Sequence, residues 1–164
     1  TETVQEVSAV NGTGIVLPSH FTERKITDPS TARDAINDVA DTLGIVSVDD
    51  ELGTADCSTV LGDTYYSFPQ VYRGIPVYGR KVTVSADADS EAALLTSGFY
   101  PIENLSVEAK ITQNDAEKIV AGLYPGEADI YVNNLVIFSL DKTNPELAWK
   151  ISFHQNKSWA SVFL

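Results

Sequence analysis

The chain has 164 residues and a formal net charge of −12, from 23 acidic and 11 basic residues, and it is 43% hydrophobic and 21% charged. That length fits one large domain or two small ones, and the composition supports a folded core. The acidic balance supplies no basic face for phosphates, which sets aside nucleic acid and anionic membrane surfaces as partners, and the single cysteine, Cys57, leaves no intrachain disulfide to form.

Residues 1–27 are polar and mixed, with Asn11-Gly12-Thr13-Gly14 as a turn signal, Pro18 as a breaker, and Val4, Val7 and Val10 outlining a short element. No basic-then-apolar leader opens them, as expected of a product whose signal peptide has been removed or never existed. No apolar run reaches the ~18 residues of a membrane span.

The first helix is expected over residues 31–43. Asp28-Pro29-Ser30-Thr31 offers its start, with Asp34 three residues after Thr31 as a capping-box variant. Ala32, Ala35, Ile36, Val39, Ala40 and Leu43 recur at helical spacing, and Gly44 falls where a left-handed residue ends a helix. Asp49-Asp50-Glu51 and the segment around Cys57 read as polar loops, with Cys57 as an inert thiol.

From Thr64 to Tyr100 the period changes to two. Tyr66, Phe68, Gln70 and Tyr72 share one face, Arg73-Gly74 reads as a turn, and Val82, Val84 and Ala86 alternate with Lys81, Thr83 and Ser85. Asp87-Ala88-Asp89-Ser90-Glu91 is a polar turn between strands; it lacks the glycine and the spacing of a calcium loop. Pro69 marks an edge or a bulge.

A second helix starts at Thr112 with Asp115 three residues on, carries Ala116, Ile119, Val120 and Leu123, and stops at Pro125-Gly126. Strands follow over Ile130–Leu140, then through Leu147, Trp149, Ile151 and Phe153, and last over Trp159–Leu164, with turns at Asp141–Glu146 and Asn156-Lys157-Ser158. Helix followed by strands thus occurs twice. The expected fold is α+β, two similar units each with one helix on an antiparallel sheet, residues 1–100 and 101–164.

Catalytic signatures are missing. His20 and His154 are the two histidines, and there is no His-Glu-x-x-His helix, Gly-x-Ser-x-Gly elbow or phosphate loop. An unrelated hydrolase with a carboxylate pair remains an open alternative, since carboxylates are plentiful.

The run Phe68-Pro69-Gln70-Val71-Tyr72-Arg73-Gly74-Ile75-Pro76-Val77-Tyr78-Gly79 resembles the fungalysin/thermolysin propeptide domain, in which a strand with an aromatic and a glutamine leads into Tyr-x-Gly-(Ile/Val)-Pro-Val-(aromatic)-Gly. Residues 112–123, Leu135–Phe138 and Leu147-Ala148-Trp149-Lys150-Ile151 are similar to the PepSY domain that follows it in such pro-regions. Ser67-Phe68-Pro69-Gln70 departs from the family's Arg-Phe-Gln-Gln, and the family's Asp-Ala-x-x-Gly turn and processing site do not follow Leu164.

The resemblance implies a secreted, bacterial, non-enzymatic pro-region. It would help a thermolysin-like zinc metalloprotease to fold and would inhibit it one-to-one after autocleavage. No cofactor is expected in this chain; zinc and calcium belong to the protease. The expected contact surface is Phe68, Gln70, Tyr72, Gly74, Pro76, Val77, Tyr78 and Gly79 with Trp159, Phe163 and Leu164, because aromatic residues crowd 65–78 and interfaces enrich them. Core packing is the competing role, preferred for Phe68 and Trp149. The alternative function is a free-standing secreted inhibitor or binding module of the same fold.

Overall fold

The structure, a computed structural model, describes residues 14–124, 129–138, 144–155 and 158–164. Two compact units divide them. One holds the described residues up to Gly74 together with Gly79–Pro101; the other holds Ile75–Tyr78 and Ile102–Leu164. Among the described residues the fold is α+β with both antiparallel and parallel strand pairs.

The first unit opens with β1 (Ile15–Leu17), a strand the polar N-terminal composition did not announce. Helix α1 (Pro29–Asp38) begins two residues before the expected start at residue 31. Asp28 is its cap: the carboxylate accepts the Thr31 amide at 2.8 Å, and Thr31 Oγ1 accepts the Asp28 amide at 3.0 Å. Pro29 fits the first turn because its fixed φ is helical and its missing N–H had no partner to lose. The expected single helix over 31–43 is broken at Val39 (φ −121°, ψ 14°), and α2 (Ala40–Leu43) follows. It ends on left-handed Gly44 (φ 75°), with the Ile45 amide donating to Ala40 O at 3.0 Å, the pairing that saturates a helix end.

The acidic run read as a loop is instead α3 (Val48–Glu51). Ser47 caps it, and Glu51 Oε2 accepts the amides of Val46 and Ser47 at 2.8 and 2.9 Å. The expectation of one helix per unit is therefore corrected here to three. Local side-chain capping makes these short turns, and apolar periodicity does not report it.

Strands β2 (Asp56–Val60), β3 (Asp63–Tyr72), β5 (Ala92–Ser97) and the later part of β4 (Ile75–Ala86) complete the unit. Cys57 lies in β2, not in a loop, and is exposed. Tyr66 and Phe68 from β3, Val82 and Val84 from β4, and Leu95 from β5 are buried with Ala32, Ala35 and Ile36 of α1. Alternation thus sets one sheet face against the helices. Arg33 joins the layers: its guanidinium donates to Val48 O at 3.0 Å and Gly53 O at 2.6 Å and lies 5.0 Å from the Phe68 ring. Beyond Ser67, β2 no longer pairs with β3, so Pro69 sits where the ladder is open and its carbonyl accepts the Gly53 amide at 2.8 Å.

In the second unit α4 (Gln113–Leu123) is capped as expected, with Thr112 and Asp115 bonding reciprocally. These bonds, first the Thr112 hydroxyl, hold the Asp115 carboxyl below its usual range. Strands β6 (Asp129–Phe138), β7 (Glu146–Gln155) and β8 (Ser158–Phe163) pair antiparallel in that order. Ala116 and Val120 of α4 pack on Ile151 and Phe153 of β7, and Trp149 Nε1 donates to Ile111 O at 3.0 Å. The sheet is not purely antiparallel: β4 pairs β6 in parallel at Val77 and Ile137. The element around Val4–Val10, the Asn11–Thr13 part of the first turn, the stop at Pro125-Gly126, Leu140, residues 141–143 and Asn156-Lys157 lie outside the described residues.

Candidate functional site

The turn between β3 and β4 places Arg73 (φ 48°) and Gly74 (φ 80°) both in the left-handed region. That is the two-residue hairpin geometry whose twist matches its strands, and it explains the glycine in the motif. The Arg73 guanidinium covers the half-buried Tyr72 ring at 5.3 Å. Gly74, Pro76 and Gly79 (φ 72°) are exposed, while Val77 is buried.

Two further motif residues lie inside the fold with Val77. Phe68 is 1% exposed in the first core. Gln70 is 2% exposed, and its amide works as a substitute strand. Oε1 accepts the Tyr100 amide at 2.9 Å, and Nε2 donates to the Tyr100 carbonyl at 2.6 Å. A buried glutamine so satisfied secures the chain after β5, as buried polar groups must be paired.

Alternation sends Tyr78 the other way from Val77. Because Val77 stands beside Ile137, Tyr78 stands beside Phe138. The rings of Tyr78 and Phe138 are 6.0 Å apart, those of Tyr78 and Phe163 5.0 Å and edge-on, and those of Phe138 and Phe163 4.2 Å and stacked. Lys150, in register with Phe163 across β7 and β8, brings its Nζ within 4.9 Å of the Tyr78 ring centre. Tyr78 is 44% exposed, and Phe138 and Phe163 are half-buried. The structure thus unites two of the residues singled out in the sequence, Tyr78 and Phe163, and adds Phe138 and Lys150.

Leu164 does not join this patch. It faces the helix side of the sheet, against the second core, and lines a groove of about 470 Å³ with Leu105, Ile111, Leu135, Leu147 and Trp149. The backbone of Trp159 pairs with His154 in β8, and its side chain lies outside the described residues. Rings and an ammonium group offer contact area and a charge, chemistry suited to binding. The Asp87–Glu91 turn is held by its own bonds, Asp87 Oδ1 accepting the Asp89 and Glu91 amides, both at 2.9 Å. Among the described residues no three His, Cys, Asp or Glu side chains gather as a metal site, and no helix is long and apolar enough to cross a membrane.

This sheet face groups one exposed and two half-buried aromatic rings beside a lysine. Residues 56–99, which span β2 to β5, carry the Fungalysin/Thermolysin Propeptide Motif. No curated protein sequence matches the chain at significance. Among solved structures the Bacillus megaterium YpeB C-terminal domain is similar at a TM-score of 0.44 and 10% identity, over 99% of this chain and 83% of that one.

Proposed function

We propose that the chain is the pro-region of a secreted zinc metalloprotease of the thermolysin type, with residues 101–164 serving as its PepSY-like part. It assists folding of the protease domain and, after cleavage, inhibits it as a one-to-one complex. The observation that carries this reading is the propeptide motif over residues 56–99. Zinc and calcium belong to the protease and none to this chain.

The physical logic is linkage. A fragment that binds the native protease but not its unfolded chain stabilises the native state by about 4 kcal/mol at a thousandfold excess over Kd. While the two are covalently joined, the effective concentration reaches roughly the millimolar range for a short linker. The Tyr78–Phe138–Phe163 patch with Lys150 is the contact surface, since clustered aromatics supply most of the energy of such interfaces. Phe68 and Gln70 act from within, by holding the hairpin that presents Tyr78.

The test is titration of the purified chain into a thermolysin-type protease while peptide hydrolysis is followed. The expected result is stoichiometric, slowly reversed inhibition. Tyr78→Ala with Phe163→Ala should weaken it by about 2 kcal/mol or more, roughly 30-fold. A protease that keeps full activity at a molar excess of the intact chain overturns the inhibitory role.

A further inference from the structure

β2 and the tip that follows it belong to the first unit. All five residues of β2, Asp56 to Val60, are exposed, and among the described residues β2 pairs with β3 alone. Its register to β3 runs without a shift from Asp56–Ser67 to Val60–Asp63. Val60 and Asp63 flank a two-residue turn, so they form the hydrogen-bonded pair, and Thr59–Thr64 is the open pair, its two hydroxyls 3.2 Å apart. By the same alternation the N–H and C=O groups of Cys57 and Thr59 point away from β3, along an edge that no other described strand covers.

Natural edges are guarded by proline, lysine, a bulge or brevity. The opposite edge of this unit is brief, since β1 has three residues. β2 carries no proline, lysine or bulge, and its one charged residue, Asp56, lies at its start. At the tip, Leu61 is 103% exposed and holds a left-handed φ of 54°, beside Val60 at 54% exposure. A leucine there works against stability twice, by its conformation and by its bare apolar surface, where asparagine or glycine is the ordinary choice.

We infer that the β2 edge and the Leu61 tip dock an extended, basic segment of the partner protease. Strand addition along Cys57 and Thr59 supplies the backbone bonds, and Leu61 fills an apolar pocket of the partner. Charge names the segment: between residues 56 and 66 the charged side chains are Asp56 and Asp63, with no cation among them. The inference rests on the protease reading and adds a second contact to it, in the other unit from the aromatic patch.

The lone, exposed Cys57 makes the edge its own reporter. The experiment mixes the full chain with a catalytically inactive variant of a thermolysin-type protease whose active site is left open, then measures Cys57 alkylation and affinity. Expected are at least tenfold slower alkylation in the complex and at least tenfold weaker binding for Leu61→Asn and for Thr59→Pro. The melting temperature of Leu61→Asn should equal or exceed that of the unaltered chain, because asparagine accepts the left-handed turn. Thr59→Pro removes an N–H that β3 does not use. Unchanged alkylation with unchanged affinity of both variants overturns the edge while leaving the protease reading intact. A chain that does not bind the protease at all overturns both. Concentration-dependent dimers abolished by Leu61→Asn give the edge to a second copy and overturn the assignment to the protease.

Discussion

Replacing Gln70 with leucine separates a residue that builds the fold from one that touches a partner. The side chain is buried and makes both of its bonds to one residue, Tyr100, thirty positions away. Leucine leaves the Tyr100 N–H and C=O without that partner, at about 1–3 kcal/mol for each group. Burying the leucine returns roughly 1.5 kcal/mol or more. The net loss is then about 0.5–4.5 kcal/mol, which at a urea slope of about 2 kcal/mol per molar moves the midpoint down by roughly 0.3–2 M. Gln70→Glu sharpens the test. Its carboxylate still accepts the Tyr100 amide but faces the carbonyl without a proton, so its folded pKa rises above the unfolded value of about 4.3. A raised carboxyl pKa contributes stability below the unfolded pKa and loses it as pH rises through the folded one. Gln70→Glu should therefore lie closest to the parent near pH 4 and furthest from it at pH 7. Urea titrations followed by circular dichroism read both effects. A Gln70→Leu midpoint equal to the parent's refutes the assignment of Gln70 as a strand substitute.

Gly44→Ala should cost about 1–2 kcal/mol and lower the melting temperature by several degrees, because φ is 75° and the new Cβ meets Pro101 Cγ at 3.3 Å. Trp149→Phe removes the donor to Ile111 O and should destabilise the second unit by about 1 kcal/mol in denaturant titration. Three aspartates set the acid limb of stability: Asp28 is lowered first by the Thr31 amide, Asp38 first by the Arg24 guanidinium, and Asp115 first by the Thr112 hydroxyl. Their folded pKa values lie below the unfolded ones, so their contribution is whole above about pH 4 and falls away as pH drops through the lower folded values. Melting temperature against pH should decline on that limb, and Asp28→Asn with Asp115→Asn should flatten it.

Local chemistry was legible in the chain and distant pairing was not. The Thr112–Asp115 cap spans four residues and the alternation of Leu147, Trp149, Ile151 and Phe153 spans seven, so both can be read from spacing alone. The start of α1 was misread because Asp28 and Thr31 are each plausible caps, and the choice depends on Pro29 entering the first turn. Gln70 looked like one more inward position; its meaning depends on Tyr100, which no periodicity links to it. The aromatic patch depends on the parallel Val77–Ile137 pairing, which sets Tyr78 against Phe138. Phe138 ends an apolar strand and reads as core until its neighbour is known.

The membership of β4 bears on how the gene can be divided. Its first four residues belong with Ile102–Leu164 and the remainder with the first unit. A fragment cut at residue 102 for separate expression lacks Ile75–Tyr78, so Ile137 loses its parallel partner Val77 and the Phe138 and Phe163 rings lose Tyr78. Such a fragment is better made as a circular permutant, with residues 75–78 grafted beside β6, than as a simple truncation.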